Sequence, residues 1–141
     1  MLISDFFEKT YWVIDILPKQ VPEGSRGQYF RIAEYYWSSP QINMIYQKFT
    51  HVLLKLNCFE DLDVSLDGEE WVENPAPEEL VKMISNCLSD KKMCYILLKT
   101  SDVLITLSAD DTYMTVYHPT EEILDLLGLI SVSEGLFLWK P

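Results

Sequence analysis

The chain has 141 residues, of which 48% are hydrophobic and 13% aromatic. That is enough apolar material for one self-sufficient core, and too much for a disordered segment. Its 22 acidic residues outnumber 11 basic ones, for a formal net charge of −11. This excludes the basic footprint that a phosphate backbone requires and disfavours an anionic bilayer, so neither nucleic acid nor membrane is an expected partner.

Residues 4–9 form a short predicted helix with Ser4 as its cap. Residues 11–17 (Tyr11, Trp12, Val13, Ile14, Asp15, Ile16, Leu17) are aromatic and β-branched and stop at Pro18, which predicts a strand. Asp15 is expected on the solvent-facing or edge side of it. The polar stretch with Pro22, Gly24 and Gly27 reads as a loop inside one domain. Residues 29–37 combine helical spacing with strand-like aromatic content; the spacing favours a short helix, with Tyr35, Tyr36 and Trp37 expected in the core.

The next helix is better marked. Ser39 is the expected cap, Pro40 occupies the first helical position, and Ile42, Ile45, Phe49, Val52, Leu53 and Leu56 recur on one face through Asn57. Residues 62–66 alternate as a short strand, and Asp67-Gly68 marks a turn. Pro77-Glu78-Glu79 opens another helix, with two acids complementing the positive end of its dipole. Three strands follow at residues 93–99, 103–108 and 113–117, joined by links short enough to make them antiparallel neighbours. Thr120-Glu121-Glu122 starts a last helix, and residues 136–139 form a closing strand.

The expectation is a single compact α+β domain over residues 1–141. It has a mainly antiparallel sheet of four to six strands and about three helices packed largely on one face. The first residues, Met1 to Asp5, lack the basic segment and apolar run of a secretory leader. Cys58, Cys87 and Cys94 lack any framework spacing. Both features point to a reducing, cytoplasmic setting with packing thiols.

Catalytic and metal motifs fail on specifics. Asp63-x-Ser65-x-Asp67-Gly68 follows the start of a calcium loop, but its twelfth position is Asn74 where a bidentate Glu is needed. His51 and Cys58 stand seven apart without an orienting acid or glycine turn, and His118 sits at a strand end beside Pro119. Two histidines and three scattered cysteines match no zinc spacing. No cofactor, metal or catalytic residue is therefore assigned.

What stands out is the acidity of residues 60–79, which hold nine acids and no Lys or Arg. Trp71 lies among them. An aromatic anchor in charged surroundings is typical of protein-interface centres, so Asp67, Glu69, Glu70, Trp71 and Glu73 are the expected contact patch for a basic protein partner. In size, acidity and aromatic richness the chain resembles, in bulk properties alone, the small immunity proteins that neutralise bacterial toxins. That resemblance implies a non-enzymatic inhibitor. Two alternatives stand beside it: a small-molecule or enzymatic domain with a pocket beneath residues 18–27 that holds Asp15, His51 or His118, and a structural subunit docking through residues 136–139.

Overall fold

A computed structural model describes residues 3–141, except for the side chain of Arg26. Its elements run α1 (Ile3–Phe6), β1 (Tyr11–Asp15), α2 (Arg26–Trp37), α3 (Gln41–Asn57), β2 (Asp63–Ser65) and β3 (Val72–Glu73). They continue with α4 (Pro77–Ser89), β4 (Met93–Leu98), β5 (Val103–Ser108), β6 (Tyr113–Tyr117), α5 (Glu121–Ser133) and β7 (Phe137–Trp139). A single 3-10 turn, Glu23–Ser25, leads into α2.

The fold is α+β, built on one sheet in the order β3-β2-β4-β5-β6-β1-β7, and every strand pair is antiparallel. The sequence expectation undercounts it: there are seven strands and five helices among the described residues. The strand it misses is β3, two exposed residues that pair through Asp63↔Glu73 and Val64↔Val72. Two residues are too few to show alternation.

Alternation decides the layers. Ile14, Val64, Cys94, Ile96, Leu98, Val103, Ile105, Leu107, Met114 and Val116 form one buried cluster with residues of α3, α4 and α5. The intervening residues form a second face, including Val13, Asp15, Tyr95, Leu104, Thr106, Thr115 and Tyr117. Burial of Leu104, Val13 and Asp15 shows that this face is covered as well. Part of the cover is α1. The ring of Phe7, just after that helix, meets Tyr117 edge-on at 5.2 Å, and Ile3 lies against Gly68 of the β2–β3 turn.

Helix ends follow local chemistry. The Thr120 side chain accepts the Ile123 N–H and caps α5, and Pro77 occupies the first turn of α4. The expected Ser39 cap is not made: Pro40 is the N-cap of α3 and supplies no side-chain bond. Residues 26–37 are helical as the spacing suggests, but Tyr35 and Trp37 are exposed, not core. Only Tyr36 of that aromatic trio packs on the core cluster. None of the described helices is long and apolar enough to cross a membrane.

Candidate functional site

The middle of the acidic stretch, from Asp63 to Glu73, folds into the β2–β3 hairpin at one edge of the sheet. Its turn is built by the residues that imitate a calcium loop. The Asp67 carboxylate accepts the N–H groups of Glu69 (2.8 Å) and Glu70 (2.9 Å) and the Ser65 hydroxyl (3.0 Å). The backbone donors of Glu70 and Glu69, with the Ser65 hydroxyl, hold the Asp67 carboxyl below its usual range. Ser65 Oγ in turn accepts the Gly68 N–H at 2.8 Å. Gly68 has φ +82°, and a Cβ there would lie 3.3 Å from Ile3 Cδ1. Glycine suits this position on both counts.

Below the turn, buried Asp63 ties three strands together. Its Oδ1 accepts the Asn74 N–H (3.2 Å), and its Oδ2 pairs with Lys99 Nζ (2.9 Å), which also reaches Glu73 (3.4 Å). Asn74 Oδ1 accepts the Leu62 N–H and the Asn57 side-chain amide, closing the base of the hairpin. Oxygens of Asp63, Ser65 and Asp67 thus hold the hairpin's own shape.

The five expected contact residues therefore divide. Asp67 shapes the turn, and Glu73 shares Lys99 with Asp63. Glu69 and Glu70 are exposed, and among the described residues no donor or cation engages their carboxylates. Trp71 is half-buried and is not among the partly buried residues packed on the core cluster.

The histidines and cysteines do not converge. His51 Nδ1 lies 2.9 Å from Glu134 Oε1, and Lys55 reaches the same carboxylate, so these groups fasten α3 to the end of α5. Cys58 is exposed at the end of α3, where its thiol donates to Leu54 O, and so is not the packing thiol its apolar neighbours suggest. Cys87 and Cys94 are buried side by side, and the Cys87 thiol donates to Lys92 O at 3.0 Å. The Cys87 thiol beside it, with burial, pushes the Cys94 thiol up, away from the thiolate a nucleophile needs. His118 has φ +60°, and its N–H bonds Thr10 O at the end of β6.

Two concavities stand out among the described residues. A groove of about 840 Å³ runs between α3 and α4, lined by Trp37, Ile42, Tyr46, Leu54, Val81 and Leu88 among others. Across its floor the Tyr46 hydroxyl donates to Ala109 O. Burial, with the nearby charges of Asp110 and Asp111, pushes that phenol up to about 12. The second concavity, of about 290 Å³, lies beneath the loop after β1 and contains Asp15.

Asp15 is buried and not solvent-facing, because the loop after β1 and the start of α2 cover its side of the sheet. Its Oδ1 accepts the Ile16 N–H at 2.7 Å. Burial raises its pKa, held back by the backbone donors of Ile16 and Leu17 and by the Trp139 indole. A carboxyl whose folded pKa is raised binds its proton more tightly folded than unfolded. Its contribution therefore favours the fold at low pH and turns into a cost as pH rises through the folded pKa. Asp15→Asn keeps the oxygen that accepts from Ile16 and removes the charge. It should raise stability at pH 7 by about 1 kcal/mol, a modest gain because backbone donors already meet the buried carboxylate and it borders an open pocket. The gain should vanish below the ordinary aspartate range. Urea unfolding of both chains across pH checks this, and a gain independent of pH would contradict it.

No protein-family model matches the chain, and neither does any curated protein or solved structure. Function must therefore be argued from the geometry alone.

Proposed function

We propose that this chain is a non-enzymatic protein-binding domain that presents its acidic β2–β3 hairpin to a basic protein partner. The observation that carries the reading is the unengaged pair Glu69 and Glu70 beside half-buried Trp71, on a turn whose shape Asp67 and Ser65 fix. A preformed turn loses little entropy on binding, so its charges and ring are available at low ordering cost. Net negative charge steers a basic partner to the surface, and the tryptophan supplies contact area once the partner arrives. A bacterial toxin, neutralised in the cytoplasm by blockade, is the partner class that the bulk resemblance to immunity proteins suggests.

Affinity capture of the full chain from its native cell, at low and at raised salt, tests the reading. A basic protein should be retained at low salt and released as ionic strength shortens the screening length from about 10 Å at 0.1 M toward 3 Å at 1 M. Retention of no basic protein, or retention indifferent to salt, would overturn it.

A small-molecule-binding domain is the second reading. One observation favours it: Asp15 lines a pocket beneath the loop that follows β1.

A further inference from the structure

At the sheet edge opposite the acidic hairpin, the 290 Å³ pocket opens between β1, the loop that follows it, the start of α2 and β7. Tyr29, Phe30 and Trp139 contribute rings, Leu17 and Val21 contribute aliphatic groups, and the one strongly buried charge is Asp15, only 8% exposed. The size lies at the lower limit for small-ligand sites, which run from roughly 300 to 1,000 Å³.

Comparison within the molecule gives the pocket its chemistry. Two acids are buried on the second face of the sheet, Asp15 and Asp63. Asp63 has a lysine ammonium 2.9 Å from its Oδ2. Asp15 has no cation within pairing distance among the described residues; its donors, the Ile16 and Leu17 backbone and the Trp139 indole, are all neutral. A buried carboxylate without a counter-charge is costly, and the missing complement is a cation. Aromatic faces attract cations, most of all weakly hydrated ones carrying alkyl groups. An anion would meet the buried Asp15 carboxylate. A neutral apolar ligand would leave the carboxylate uncompensated.

We propose that this pocket binds an alkylammonium group, with Asp15 as its counter-charge and the Tyr29, Phe30 and Trp139 rings around its alkyl part. The proposal goes beyond the hairpin reading and stands on the far edge of the sheet, so either can fail without the other. Lys19 also borders the pocket and is the one internal competitor among the described side chains.

The test is a titration of the full-length, isotope-labelled chain followed by NMR at the Ile16 and Leu17 amides and the Trp139 indole N–H. Butylammonium and butyltrimethylammonium are the cationic probes, with butanol and butyrate as neutral and anionic counterparts of the same chain length. The cations should give saturable shifts at these three groups that the counterparts do not. Asp15→Asn should weaken cation binding at least tenfold, and Tyr29→Leu should weaken butyltrimethylammonium even if the first variant folds poorly. A blocked tetralysine peptide distinguishes the source. Tighter binding than butylammonium at the same three groups points to a partner's side chain, and weaker binding to a free amine; both support the site. Equal shifts with butanol, unchanged affinity in Asp15→Asn, or shifts confined to Asp67–Glu73 would overturn the proposal. So would binding that appears only after Lys19→Ala, since Lys19 would then be the pocket's own cation.

Discussion

Phe49→Ala should destabilise the fold by about 3–5 kcal/mol, the cost of a buried phenylalanine lost to a cavity that the surroundings fill only in part. Phe49 is fully buried at the middle of α3, flanked on the same face by Ile45, Val52, Leu53 and Leu56. That helix packs against α2, α4 and α5, so three neighbours would have to move together for the cavity to close. Domains of this kind are stable by roughly 5–15 kcal/mol in total, so a large part of the margin would be lost. Leu129→Ala is the matched control. Leu129 is 75% exposed on α5, and its truncation should stay within about 0.5 kcal/mol. Urea unfolding of both variants measures the contrast, and equal midpoints would mean that α3 does not form the core.

The same pattern explains what could be read in advance. The β4–β5–β6 meander was legible because its strands are apolar runs joined by short turns; β5 and β6 fall at Val103–Ser108 and Tyr113–Tyr117, as the sequence suggests. The start of α5 was legible because Thr120 is a chemical cap as well as a pattern. Asp15 was misplaced for a physical reason. Alternation says that Ile14 and Asp15 face opposite ways, but not that both sides of β1 are covered. The cover over Asp15 comes from Tyr29 and Trp139, groups distant in sequence that only the folded sheet brings together. The acidity of the hairpin was plain from composition. The division of labour within it was not, because Asp67 and Glu69 are equivalent as charges and differ only in which one meets backbone N–H groups. Tyr35 and Trp37 show the opposite error: large aromatic side chains suggested core, yet helix geometry turns both outward.

That division makes the hairpin separable by mutation. Glu69→Lys and Glu70→Lys reverse two carboxylates that hold nothing in the fold among the described residues, and Trp71→Ala removes a ring that is not packed on the core cluster. The combined variant should therefore lose little stability from its two charge reversals, within about 0.5 kcal/mol as for surface changes away from special features, and more from truncation of the half-buried Trp71 ring. Its affinity for the captured basic partner should fall at least 100-fold, about 2.7 kcal/mol. The two parts of the change should act on different steps. Charge reversal slows association and flattens its salt dependence, because steering acts before contact. Losing the ring speeds dissociation, because an anchor acts after it. Association and dissociation rates of the double charge variant and of Trp71→Ala alone, measured at two salt concentrations, separate these contributions. Unchanged rates in both would move the interface off this edge of the sheet. Loss of binding together with loss of stability in the double charge variant would mean that Glu69 or Glu70 holds the hairpin together, a task the geometry gives to Asp67, Ser65 and Asp63.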